Sequence, residues 1–461
     1  MTLSRLSPSI RRALRLTPLA LALMAASAVR AQSLAELYDA ARGYDATYLG
    51  VKAQAESAKY RAEQAYALRR PVVGLDVGST RSNSDTPYLT SLSAHQTDTR
   101  ATLKAQQNLF NRANDKQIEQ AERGVQVADA QLRAAEQDLI VRVAQAYFDV
   151  LAAQDTLLSA QTNKTAITEQ LASAKRNFEV GTATITDTRE AQARFDLATA
   201  QEIAADNDLR TKRAFLAQLV GRPAVEPKPL AQPAALPPVI DTAEQWVNAS
   251  EANSPAVEQA RLAYDIAKLE TEKARAGHLP TVALTGSYAR NHASITGAQL
   301  ATIAPGVNAP VGFDTSGNGT TSSIGVTVSV PLFAGFSIQN RVKETLSLEE
   351  KAREDLENAR RTVAQSTRAA FFGVQSGQAR VKALEAAEAS SQLALEATQL
   401  GYKVGVRVNL DVLNAQTQLF NTRTDLAKGR YDVIVGNLKL RQATGQLRPE
   451  DVNAANSLLA R

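Results

Sequence analysis

The sequence predicts a mixed α+β membrane protein in which one structural unit is used twice. Three observations lead there. The chain begins with an export signal and has no apolar helix long enough to span a bilayer. It carries paired runs of alternating hydrophobicity. It also carries two very long helical stretches with a seven-residue apolar period.

Residues 1–31 read as a secretory signal peptide. Arg5, Arg11, Arg12 and Arg15 form a charged start, and residues 16–28 an apolar run of about 13 residues. Val29 and Ala31 then place small residues at −3 and −1 before Gln32. No later stretch reaches about 18 consecutive apolar residues, so contact with a membrane has to come through a β-barrel. With Arg30, this segment holds five of the 52 Lys and Arg and no acid. The remainder therefore balances its 47 Asp and Glu, and the net charge of +5 belongs to the leader. A nucleic-acid partner would need a basic face that survives its removal, so none is expected.

The absence of cysteine excludes disulfides, thiolate metal sites, a cysteine nucleophile and a lipidated N-terminal Cys. The three histidines (His95, His278, His292) have no ligand spacing, and no Gly-x-Ser-x-Gly or phosphate loop occurs. No enzyme, catalytic residue, metal or cofactor is expected.

The remainder repeats. Shifted by 224 residues, Phe178-x-Val180-Gly181 falls on Tyr402-x-Val404-Gly405, Asp187 on Asp411 and Gly221 on Gly445. Nearer the start a shift of 209 places Arg70-Pro71 on Leu279-Pro280. The expected organisation is signal peptide 1–31, first repeat 32–222, proline-rich connector 223–240, second repeat 241–446 and tail 447–461.

Each unit opens with a helical stretch (about 34–68 and 242–276). Two strands of about 9–11 residues follow, long enough to cross an outer membrane. Val73, Leu75 and Val77 alternate with Gly74, Asp76 and Gly78. Ile324, Val326, Val328, Val330 and Leu332 share one face, with Gly325, Thr327 and Ser329 on the other. Residues 82–98 and 291–321, rich in Ser, Thr, Asn and Gly, read as extracellular loops. Asp76 and Lys104 are expected in the lumen.

From 112 to 178 there is no proline and only Gly124, a helix of roughly 100 Å at 1.5 Å per residue. Positions 118, 125, 132, 139, 146, 153, 160, 167 and 174 are Ile, Val, Leu, Leu, Ala, Ala, Ala, Ile and Ala, a coiled-coil seam. The second copy, about 336–402, has a looser stripe. Val-Gly ends each long helix, and return helices follow at about 188–219 and 411–443. Trp246 reads as core.

These features, in this order and duplicated, resemble the TolC family of outer-membrane efflux and secretion ducts. The specific motifs are the proline-led strands, the Leu-Phe strand ends (Leu109-Phe110, Leu332-Phe333) and Tyr402-Lys403-Val404-Gly405-Val406-Arg407 with Asp411-Val412-Leu413-Asn414. The resemblance implies a homotrimer with a 12-stranded transmembrane barrel, four strands per chain, continued by a helical coiled-coil barrel. It implies an exit duct in the bacterial outer membrane, extending into the periplasm, for drugs, small solutes or secreted protein. Its partners would be outer-membrane lipid, a periplasmic adaptor (a membrane fusion protein) and an inner-membrane pump. The alternative is a periplasmic or surface structural or adhesive coiled coil, which leaves the strands unused.

In such ducts the helix tips form the entrance. The resemblance assigns Tyr402 and Arg407 to a latch, Asp411 and Asp187 to an acidic constriction, and Val180, Gly181, Val404 and Gly405 to adaptor-docking tips. Phe178 and Ala183 stand at the latch positions of the first copy. The usual second acid is Asn414 here, and Asp187 and Asp411 also read as first-turn acids that favour a helix start.

Overall fold

The computed structural model of the chain describes residues 31–84, 91–231 and 242–460. Residues 1–30 of the signal segment and the second half of the connector, 232–240, lie outside the described residues. In chain order the helices are α1 (Leu34–Tyr44), α2 (Ala46–Tyr66), α3 (Arg112–Glu179), α4 (Ile185–Val220), α5 (Ala243–Asn253), α6 (Pro255–Ala276), α7 (Ser337–Lys403), α8 (Asn409–Ala443) and α9 (Pro449–Asn456). The strands are β1 (Val72–Ser84), β2 (Ser91–Phe110), β3 (Thr281–Ala304) and β4 (Val307–Ser329). The chain divides into two compact units. One takes residues 1–53, 130–258 and 358–461, the other 54–129 and 259–357.

The helical stretches that open the repeats are each broken once, contrary to the single helix expected. At residue 45 the Asp45 side chain accepts from the Tyr48 amide at 2.7 Å, which ends α1 and caps α2. At the equivalent place, residue 254, Pro255 starts α6, since a proline is tolerated at a helix start but not in an interior.

The second unit contains an antiparallel sheet in the order β1-β2-β3-β4. Its strands are 13, 20, 24 and 23 residues long, more than the 9–11 expected. Residues 291–321 are not a loop. Asn291 pairs with Gly319, and the ladder continues to Thr302 opposite Asn308, with a tight turn at Pro305-Gly306. In the other expected loop, residues 82–84 and 91–98 are likewise strand, with 94–98 paired with 80–84, while residues 85–90 lie outside the described residues. Polar residues sustain these ladders by bonding across them. Ser287 and Ser323 hydroxyls lie 2.8 Å apart, and His292 Nδ1 lies 2.9 Å from Asn318 Oδ1.

The register sorts the sheet into two faces. Val73, Leu75, Val77, Leu103, Leu284, Tyr288, Ile324 and Val326 share one. Asp76, Thr102, Lys104, Ser287, Thr321 and Ser323 share the other, which holds a polar concavity of 820 Å³ lined by Asp76, Arg100, Lys104 and Asn291. Lys104 Nζ lies 2.9 Å from an Asp76 carboxylate oxygen there.

In the first unit the heptad seam of α3 is buried. Leu139, Ala146, Ala153, Ala160, Ile167 and Ala174 are all nearly inaccessible. Tyr147 and Phe148 meet edge to face, and Phe148 stacks on Tyr431 of α8. These rings anchor a core that also takes Leu34 and Leu37 of α1, Leu216 of α4 and Leu438 of α8. Trp246 packs against Phe371, Val374 and Leu440, as expected of a core residue.

Candidate gate and docking tips

Each long helix ends in the same turn. In the second copy Gly405 N–H donates to Tyr402 O and Val406 N–H to Gly401 O. In the first, Gly181 N–H donates to Phe178 O and Thr182 N–H to Asn177 O. This paired bonding closes a helix through one left-handed residue. Both glycines have φ of 80°. A side chain built on either would meet nothing within 4 Å, so the turns stand in open space. Val180 and Val404 beside them are 73% and 65% exposed. Two Val-Gly knuckles of one shape therefore project from the ends of α3 and α7.

The hairpin α3–α4 meets α7–α8 behind these turns. Leu413 of α8 packs among Ile167, Leu171 and Ala174 of α3 and Ala191 and Ala198 of α4. Polar links run alongside this apolar contact. Asn177 Nδ2 donates to the Tyr402 hydroxyl at 3.2 Å. Asn409, only 2% exposed, accepts from Gln170 Nε2 and lies 3.5 Å from the Asp187 carbonyl. Arg194 donates to Asn414 Oδ1 at 3.0 Å.

Arg407 lies 3.6 Å from the Asp411 carboxylate, one helical turn away, and its stem packs over Gly401. The two repeats differ here as a set. The second has Gly401 with Arg407, the first Asn177 with Ala183. Lack of a side chain at 401 gives the Arg407 stem room, and the amide at 177 reaches Tyr402.

The sequence-marked residues thus fall into two groups. Tyr402, Arg407 and Asp411 lie together on the second hairpin and face a partner or each other. Asp187 acts locally. It accepts from the Thr184 amide at 2.9 Å and hydroxyl at 2.7 Å, while its own amide donates to Thr184 Oγ1, a reciprocal box that starts α4. Asp411 has no such role, because the residue capping α8 is Val408, which offers no side-chain acceptor. Reading the sequence missed Gln170, Asn177, Arg194 and Asn409. Comparing repeats could have found Asn409, whose counterpart is Ile185.

A two-faced sheet with unpaired edges, joined in one chain to helix pairs with a polar-linked end, defines the subunit of an outer-membrane channel. A family model described as "Outer membrane efflux protein" matches residues 37–222 and 246–446, and the chain belongs to that family. It is 34% identical over 444 residues to outer membrane protein TolC of Vibrio cholerae, covering 94% of each chain. It is 32% identical over 363 residues to the alkaline protease secretion protein AprF of Pseudomonas aeruginosa, covering 77% of this chain and 72% of that one.

Solved structures share the fold. VceC of Vibrio cholerae matches with a TM-score of 0.72 at 18% identity, over 89% of this chain and 96% of that chain. The CmeC outer membrane channel of Campylobacter jejuni matches at 0.73 and 15%, over 93% and 90%. The protein is an exit duct of the outer membrane, extending into the periplasm.

Proposed function

We propose that three copies close one 12-stranded barrel and that the helix ends form its periplasmic gate. The single observation that carries this reading is the sheet itself. Its two faces are sorted as apolar and polar, its apolar face is exposed up to 83% at Ile324, and β1 and β4 are open edges. Four strands cannot close a pore, since the smallest membrane barrels need about eight. An open edge is a template for pairing, so β4 of one copy pairs with β1 of the next. The apolar stretch of β3, residues 282–288, runs roughly 23 Å along the strand, or about 18 Å of height at a tilt of about 40°, most of a barrel's lipid-facing band.

Tyr402 and Arg407 hold the resting entrance, Asp411 lines it, and the knuckles at Val180-Gly181 and Val404-Gly405 receive a periplasmic adaptor coupled to an inner-membrane pump. Cargo crosses passively and includes small solutes and secreted protein, in keeping with relatives named for efflux and for protease secretion.

The chain has no cysteine, so introduced pairs report cleanly. Cysteines placed along β1 and β4 at residues 74, 76, 327 and 329 should cross-link neighbouring copies. The denatured ladder should end at three chains, and the same preparation should conduct ions in a planar bilayer. A ladder ending at another number overturns the threefold closure, and absence of conductance overturns the duct.

A further inference from the structure

Past the apolar band, the outward face of the sheet becomes basic before it becomes acidic. Along β3 it runs Leu284, Gly286, Tyr288, Arg290, His292, and along β1 it runs Val73, Leu75, Val77, Ser79, Arg81. Register puts Arg290 level with Ala101 and Val77. It puts Arg81 two pleats further out, level with Thr97 and Ser294. Strand rise and spacing separate the two arginines by roughly 16 Å. Both are exposed, as is His292 between them, whose Nδ1 lies 2.9 Å from Asn318 Oδ1.

The two faces treat charge differently. Inward, Lys104 is paired with Asp76 at 2.9 Å, and Arg100 lies 3.9 Å from Asp98. Outward, among the described residues, no carboxylate occurs on any strand from the level of Val73 to that of Arg81, and neither Arg81 nor Arg290 has an ion-pair partner. The first outward acid, Asp314, comes one pleat beyond Arg81, where it accepts from the Thr296 hydroxyl at 3.2 Å. Isolated basic groups just beyond an apolar band sit at headgroup depth. A guanidinium matches a phosphate with two parallel hydrogen bonds.

We propose that Arg81 and Arg290 bind phosphorylated lipid headgroups at the outer rim of the lipid-facing band. Their separation lets one diphosphorylated glycolipid engage both. The proposal rests on the reading of the apolar face as the lipid face. It adds the chemistry of the lipid and the residues that select it.

The full chain is reconstituted in phosphatidylcholine vesicles containing lipid A, re-extracted in detergent, and the lipid A that stays bound is counted by mass spectrometry. Wild-type protein should retain it, and lipid A stripped of its phosphates should be lost. Arg81→Ala with Arg290→Ala should retain about thirty-fold less, the order expected for two basic groups at a charged surface. Arg100→Ala with Lys104→Ala, on the inward face, should retain the wild-type amount. Equal retention of the two lipids overturns the proposal. So does equal retention by the Arg81/Arg290 variant, or an equal loss in the inward variant. Bilayer conductance of each variant checks insertion separately. If wild-type protein does not insert at all, it is the lipid-face reading that fails.

Discussion

Asp45 and Asp155 are both shielded carboxylates, yet their environments push them in opposite directions. Two Arg142 nitrogens reach Asp45 at 3.0 and 3.1 Å, and these bonds, with the Tyr48 amide, hold its carboxyl below the ordinary range despite burial. A carboxylate lowered on folding stabilises above its unfolded value, and that contribution is lost as pH falls through the lowered one. Thermal melts should therefore show Asp45→Asn costing about 1–3 kcal/mol at pH 7, a cost that shrinks as pH falls below the ordinary carboxylate range through the lowered value. At Asp155 burial raises the carboxyl, and the Tyr431 hydroxyl donating at 2.6 Å only partly offsets it. Ionisation there works against folding, so stability falls as pH rises through the ordinary carboxylate range toward the raised value. Asp155→Asn keeps the acceptor for Tyr431 and should gain roughly 1 kcal/mol at pH 7, with the gain vanishing in acid. A melt that is flat with pH for both variants would contradict the assigned environments. Tyr402 and Arg407 stand out in the sequence because the two repeats differ at those positions, while the latch role assigned to them comes from the family resemblance. The Tyr402 partner was not, because Asn177 lies 225 residues away on the other hairpin and no local pattern joins them. With that partner known, Tyr402→Phe combined with Arg407→Ser should raise single-channel conductance. Unchanged conductance would place the latch elsewhere.

Elements that share a backbone shape respond differently when their surroundings differ. Gly405 and Gly445 both close a helix through a left-handed turn, with φ of 80° and 69°. A Cβ at 405 would meet open space, whereas one at 445 would lie 2.2 Å from the Asn253 carbonyl oxygen. Gly405→Ala should thus cost only the left-handed strain, about 1–2 kcal/mol, and leave a folded protein whose export tests adaptor docking. Gly445→Ala adds a backbone collision and should lose several times as much, read as a drop in melting temperature or in outer-membrane yield. Similar losses at both sites would mean that the turn at 405 is packed. The long helices were legible from sequence because a seven-residue stripe states both the fold and the buried side. The upper halves of β3 and β4 were not. Val307, Val311 and Phe313 do alternate with Asn308, Gly312 and Asp314, but on the face opposite to Ile324 and Val326, and the Ser, Thr, Asn and Gly of 314–321 between the two patterns read as loop although Thr suits a strand.

For the whole molecule, three copies of Asp411 around an axis would make a negative constriction that multivalent cations plug, and the contacts around it decide how strongly. Each Asp411 carries Arg407 at 3.6 Å, an exposed pair worth about 0–1 kcal/mol, so the acid is only partly neutralised. Removing Arg407 should deepen block by a trivalent cation added from the periplasmic side, and Asp411→Asn should abolish most of it. Asn414 complicates the simple expectation that a second acid there strengthens the plug. It already accepts from Arg194 at 3.0 Å, so Asn414→Asp would form an ion pair with that guanidinium instead of a free acidic ring. The single substitution should change block little, and only with Arg194→Ala should it bind the trivalent ion more tightly than wild type. Strong block from Asn414→Asp alone would show that Arg194 turns away in the assembled duct. Full block surviving Asp411→Asn would show that the constriction is built from other residues.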